Sequence, residues 1–358
     1  MATGASGSTL IERAAGLSPW AGYRPAGARR EGGSSMKAVV IDEFGGPEVL
    51  RYRDVPDPLL SPASVLVEVR AAGVNRGDLQ RRGGELGDEE QPLPLIVGWE
   101  VAGVVKAVGD LVQHVRPGDR VVALTPSGGY AELAAPIAQA VVPIPQSLSF
   151  EEAAGIPIVF MTAWFALVKK AALRPGETAL IQAAGSGVGT AGVQIAKYVG
   201  ARVIATAGSD EKLARLRELG ADEVINYRTT DFAEAVTAIT GGRGVDVVLE
   251  SVGGRTLVSS IELLASGGRL VSVGNSSQEP VSIDAALLVE RDVSLSGLYL
   301  GSELLKSGAI EELQKVVELC GRGELKVIID RVLPLAEAAA AHAILANRAN
   351  FGKVILKP

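Results

Sequence analysis

The chain has 358 residues, 47% of them hydrophobic and 21% charged, with a single cysteine and two histidines. At roughly 150 residues per domain this predicts about two domains, and no run of about 18 apolar residues predicts a membrane-spanning helix. A net charge of −6 argues against a nucleic-acid partner, while Cys320 alone forbids an intrachain disulfide and, with His114 and His342, leaves too few ligands for metal-dependent chemistry.

Residues 1–35 are rich in Gly, Ala, Ser, Pro and Arg and lack apolar periodicity, so a disordered extension is expected. Arg13, Arg24, Arg29 and Arg30 leave a transit peptide as the alternative. There is no apolar stretch for a secretory signal, and the expected location is cytoplasmic. From Met36 to about Pro145 short β-type runs (KAVVI, VLVEVRAAGV, VAGVVKAVG, DRVVAL, YAELAA, VVPIP) alternate with turns. That pattern predicts a β-rich domain of barrel or sandwich type.

The rhythm changes near Phe150, where SFEEAAGIPIVFMTAWFALVKKA reads as helical. Six apolar runs then alternate with helical segments: TALIQA (178–183), RVIATA (202–207), EVIN, VDVVLE (245–250), RLVSVG (269–274) and VSLSGLYL (293–300). Continuous apolar strands separated by helices predict an α/β domain, a doubly wound parallel sheet covered on both faces. The tail HAILANRANFGKVILKP reads as a helix and a closing strand that completes the first domain. The expected division is 36–155 with 301–358 for the β-rich domain, and 156–300 for the parallel-sheet domain.

Between the first of these strands, ending at Ala183, and a helix beginning near Val188 lie Gly185, Gly187 and Gly189. A dinucleotide pyrophosphate needs backbone N–H groups at close range at a helix N-terminus, and side chains would block its approach. Gly187, Gly189 and Gly192 spell G-x-G-x-x-G, but Ala184-x-Ser186-x-x-Gly189 fits the strand-to-helix junction better. The binding turn is therefore expected over Ala184, Gly185, Ser186, Gly187, Val188 and Gly189. An NAD site usually has an acid at the end of the second strand. Here that strand runs into Gly208 and Ser209, with Lys212, Tyr227 and Arg228 following, which favours NADPH.

AAGSGVGTAGVQIAK, TAGSDEKLARLRELGAD and VINYR resemble the zinc-independent quinone oxidoreductases of the medium-chain dehydrogenase/reductase superfamily. GGPEVLRYRDVPDP, GVNRGDLQRRGG, GWEVAGVVKAVG, PGDRVVAL and NRANFGKVIL fit the same family in the same order, over about residues 36–358. The resemblance implies a GroES-like catalytic domain from both chain ends, a Rossmann domain between, and an active site in the cleft. Further cofactor contacts are implied at Val252, at Val273, Gly274 and Asn275, and at Gly297, Leu298 and Tyr299. Zinc-containing relatives have Cys and His where this chain has Asn75 and Trp99, so no metal is expected.

Without a metal, hydrogen-bond donors must polarise the acceptor while the nicotinamide supplies the hydride. The resemblance implies Asn75 as such a donor and Thr162 as a nicotinamide neighbour, with Arg76 and Asp78 orienting the loop. Gln80 stands where many members have a tyrosine, and it cannot act as an acid, which weighs against an enoyl-thioester reductase. The expected substrate is a small-molecule quinone or α,β-unsaturated carbonyl compound. The alternatives are that enoyl-thioester reductase and a non-catalytic NADPH-binding protein. Trp99 is expected to pack, His342 to lie on a helix surface or between domains, and Cys320 to be buried. The last Rossmann strand, Val293–Leu300, is apolar and lacks charge and proline. The resemblance implies that it lies at the sheet edge and pairs with a second subunit, making a homodimer; a following helix folded over the edge is the alternative.

Overall fold

A computed structural model describes residues 34–85 and 93–358, so the extension expected for residues 1–35 falls almost wholly outside the described residues. The first strands are β1 (Ser35–Ile41), β2 (Arg51–Pro56), β3 (Val65–Val74), β4 (Leu95–Ile96), β5 (Glu100–Val108), β6 (Arg120–Leu124), β7 (Leu133–Ala134) and β8 (Val141–Pro143). Over Val65–Arg70 β3 alternates buried with more exposed positions, as a strand with one face on a core does, and from Ala71 it is buried on both faces. β1 pairs antiparallel with β2 and β4 in a small sheet.

The larger sheet runs β15-β16-β3-β5-β6-β8, with β7 also on β3. Its β15 (Ile329–Pro334) and β16 (Lys353–Lys357) come from the other end of the chain. β16 lies antiparallel to β3 with Val354 opposite Val74. The last residue before the loop of Asn75 is thereby set beside the start of the final strand.

The remaining strands are β9 (Thr178–Ile181), β10 (Arg202–Ala207), β11 (Glu223–Asn226), β12 (Val245–Glu250), β13 (Leu264–Ser272) and β14 (Ser294–Gly297). They form a parallel sheet of order β11-β10-β9-β12-β13-β14, the doubly wound Rossmann arrangement. Its central strands are apolar on both faces because helices cover both sides; all four residues of β9 are buried. The last strand is shorter than the run 293–300: it stops at Gly297, and a helical turn, Leu300–Glu303, begins sooner than expected.

Three helices matter to the site: α1 (Arg76–Gly83), α2 (Pro157–Trp164) and α3 (Gly187–Val199). Helix α2 continues into a π-helical turn, Phe165–Lys170, and packs on α3. One apolar cluster runs from Ala71, Ala102 and Leu124 of the β-rich domain through Phe160, Met161 and Trp164 to Ile181, Val203 and Leu249. The two sheets therefore share a continuous core through α2. No helix among the described residues is long and apolar enough to cross a membrane.

Candidate active site

In a doubly wound sheet, ligands bind beyond the carboxyl ends of the strands, where the strand order reverses. Here that point is the end of β9, between β10 and β12. The chain leaves β9 through Ala183, whose φ of +49° is left-handed and therefore strained for alanine. Ser186 caps α3, its Oγ accepting the Gly189 N–H at 3.0 Å. Gly187 and Val188 are left with N–H groups that no intrahelical carbonyl can accept. A Cβ on Gly187 would stand 2.9 Å from Val159 Cγ1. Only glycine lets α3 begin this close to α2. The bridge between Ser186 and Gly352 turns the Gly187 N–H toward Gly352 O, while the Val188 N–H and the positive end of α3 fit a pyrophosphate, so the turn suits a dinucleotide.

The other residues expected at the cofactor follow the neighbouring strand ends. Gly208 and Ser209 follow β10, and a Cβ on Gly208 would lie 2.7 Å from Tyr227 Oη, so the two are in contact. Lys212 donates to the carbonyls of Arg348 and Asn350, both at 2.8 Å, and burial lowers its pKa. Arg228 and Arg215 add positive charge around it. After β12, Glu250 accepts the N–H groups of Val252 and Gly253 at 2.6 and 2.9 Å, which fixes that turn. After β13, Val273 is half-buried and Gly274 exposed, while Asn275 is tied to Ser277 and Glu279. After β14, Gly297 is exposed, Leu298 is buried and Tyr299 is 70% exposed.

The C-terminal segment joins this turn to the β-rich domain. Gly352 N–H donates to Gly185 O at 3.0 Å. The next residue, Lys353, is 3% exposed, and its ammonium donates to Val74 O at 2.9 Å, Asn75 Oδ1 at 2.7 Å and Glu100 Oε1 at 2.8 Å. Glu100 Oε1 also accepts Asn75 Nδ2 at 2.7 Å, and Glu100 Oε2 accepts the Ile158 N–H at 2.7 Å in the first turn of α2. One turn on, Thr162 Oγ1 donates to Ile158 O at 2.7 Å. Asn75 and Thr162 are thus linked through Glu100.

Asp78 bears directly on Asn75. It is fully buried, and its Oδ2 accepts the Asn75 N–H at 2.8 Å and the Tyr130 hydroxyl at 2.9 Å. Arg76 and Gln80 are half-buried, and no ion pair joins Arg76 to Asp78 among the described residues. The reason is steric order: the capping box turns Asp78 back toward the start of α1. Burial, offset by these two donors, lifts the Asp78 pKa to about 7, and Oδ1 has no partner.

The chain of bonds continues. Tyr130 Oη lies 3.3 Å from His342 Nε2, and Arg82 Nη1 lies 3.1 Å from His342 Nδ1. Arginine can only donate, so Nδ1 accepts and Nε2 carries the proton. Arg82 then donates to His342, His342 to Tyr130, and Tyr130 to Asp78, all in one direction. Burial and the Arg82 charge push the His342 pKa down to about 3, and burial raises Tyr130 well above its usual value. His342 is therefore a buried member of this chain, not a helix-surface residue.

Trp99 is half-buried beneath the Arg81 guanidinium, 5.0 Å from its ring centre, and abuts Gly77. Cys320 is buried in its helix. No group of three His, Cys, Asp or Glu that could hold a metal occurs among the described residues. On the far side of α1, Gln278 Nε2 donates to Glu85 Oε2 at 3.0 Å, joining the loop after β13 to the loop after α1. Sequence reasoning did not assign roles to Glu100, Lys353 or Tyr130. The signals were local: Glu100 follows Trp99 in G-x-E, and Lys353 lies in NRANFGKVIL.

The family described as alcohol dehydrogenase GroES-like domain matches residues 61–146, and that described as zinc-binding dehydrogenase matches 187–330. Quinone oxidoreductase of Sus scrofa is 37% identical over 328 residues, 90% of this chain and 97% of the relative. The structure of Escherichia coli quinone oxidoreductase complexed with NADPH has a TM-score of 0.82 at 34% identity, covering 90% of this chain and 100% of that one. The structure of CurK enoyl reductase has a TM-score of 0.82 at 32% identity, covering 90% and 99%. Likeness of this extent, across both domains and the loops that carry the site, places the chain in the quinone oxidoreductase family of the medium-chain dehydrogenase/reductase superfamily.

Proposed function

We propose that this protein is an NADPH-dependent, zinc-independent reductase that delivers hydride to a quinone or an α,β-unsaturated carbonyl compound. The supporting observation is the physical link from the glycine turn through Gly352 and Lys353 to Asn75. It sets a dinucleotide-binding helix start beside an amide donor, where zinc-containing relatives have a metal ligand. Bound NADPH would supply hydride from its nicotinamide C4. The Val188 N–H and the positive end of α3 would hold the pyrophosphate. Lys212 and Tyr227, with no acid ending β10, suit a 2′-phosphate. Asn75 donates to the acceptor's carbonyl oxygen as negative charge develops there, and water supplies the proton that completes the reduced product.

The exposed edge of β14 supports a homodimer in which two such edges pair. Likeness to an enoyl reductase keeps the enoyl-thioester reading as the second one; Gln80 in place of a tyrosine acid weighs against it. Steady-state rates with a quinone, an alkenal and an enoyl-CoA, each with NADPH and NADH, test the assignment. Turnover of the quinone or the alkenal with NADPH is expected. Turnover of the enoyl-CoA alone would favour the second reading. Tight NADPH binding with no turnover of any acceptor would indicate a non-catalytic protein.

A further inference from the structure

An amide can sit in its pocket either way round, and only one way offers a donor. The neighbours of Asn75 choose between them. Lys353 carries only donors and ionised Glu100 only acceptors, so the oxygen must face Nζ at 2.7 Å and the nitrogen must face Oε1 at 2.7 Å. The reverse orientation would set NH₂ against an ammonium and an oxygen against a carboxylate. One N–H is held by Glu100. The other has only Gly73 O at 3.5 Å, too long to hold it.

We propose that the buried Lys353–Glu100 pair is a positioning device for the reduction. It locks the Asn75 amide in the donor orientation and leaves its second N–H for the acceptor's carbonyl oxygen. Lys353 itself does not touch the acceptor, since all three of its protons are taken by Val74, Asn75 and Glu100. Its charge also polarises the amide it bonds, which strengthens the N–H as a donor. Through Glu100 Oε2 and the Ile158 N–H, the same pair ties that orientation to α2, which carries Thr162. This inference rests on the reading of Asn75 as the carbonyl donor.

The test compares acceptors with and without a carbonyl. Lys353→Met and the charge-balanced double variant Lys353→Met/Glu100→Gln are assayed with a quinone and with a phenothiazinium dye, which takes hydride at nitrogen. Loss of a properly aimed donor is expected to lower quinone kcat roughly 100-fold, with the dye rate and NADPH affinity within about threefold of wild type. Equal losses on both acceptors, or an unchanged quinone rate, would overturn the proposal. Asn75→Ala separates the two claims. If it spares quinone reduction, the reading of Asn75 fails; if it does not while Lys353→Met does, only the positioning role fails. A second measurement needs no variant to fold: with ¹⁵N-labelled asparagine, one Asn75 Nδ2 proton should lie downfield of the free-amide position, shifted by the carboxylate it bonds. Both protons at free-amide positions would overturn the locked orientation.

Discussion

The buried position of His342 makes a signed prediction about stability and pH. In the unfolded chain this imidazole takes a proton near pH 6.5, but in the fold it does so only near pH 3. Between those values the unfolded state binds the extra proton, so this residue's contribution to stability falls as pH falls. At about 1.4 kcal/mol per pH unit, the loss between pH 7 and 4.5 is about 2.5 kcal/mol. Asp78 works in the opposite sense. Its folded pKa of about 7 lies above the ordinary carboxyl value of 3.8, so its contribution is present at low pH and is lost as pH rises toward 7. The two slopes nearly cancel in the wild type. His342→Leu removes one of them. It also strips the partners from Arg82 and Tyr130, costing about 1–3 kcal/mol at pH 7. In urea unfolding at pH 7 and 4.5, the wild-type advantage over this variant should shrink by about 2.5 kcal/mol and close or reverse at pH 4.5. A gap that stays within about 0.5 kcal/mol at both pH values would refute the neutral, buried imidazole.

Lys212→Met should weaken NADPH binding roughly 10- to 150-fold in a fluorescence titration, the worth of one charge-assisted contact, and leave NADH nearly unaffected; equal losses for both cofactors would count against a 2′-phosphate contact. Chelators should not lower activity, and elemental analysis should find no stoichiometric zinc; zinc lost together with activity would contradict the assignment. Ser294→Pro, at an exposed position of the edge strand β14, should halve the particle mass in light scattering and spare NADPH binding. A wild-type monomer at micromolar concentration would remove the dimer proposal.

What could be read in advance was what local chemistry determines. The parallel sheet was legible because each strand is a short apolar run followed by helical spacing, and β12 occupies the residues 245–250 read as a strand. The glycine turn was legible because a helix start beside a strand end leaves few residue types possible. The strand 293–300 was read too long, since Leu298 and Tyr299 look strand-like but lead into a helical turn. The buried polar networks were invisible for a different reason. Glu100 and Lys353 meet across 253 residues, and Arg82 and His342 across 260. No periodicity or motif records a partner at that distance.

The contact between Gln278 and Glu85 has a mechanical consequence. The two domains are joined on one side by a shared apolar core and by the hydrogen bonds of Gly352 to Gly185 and of Ile158 to Glu100. The loop after α1 and the loop after β13 meet through a hydrogen bond between exposed side chains. In water such a bond contributes at most about 1 kcal/mol, little more than thermal energy. The molecule is built like a clasp with a stiff hinge and a light catch. Parting these two side chains costs little, while the Asn75 corner is tied down by buried bonds from Lys353 and Glu100.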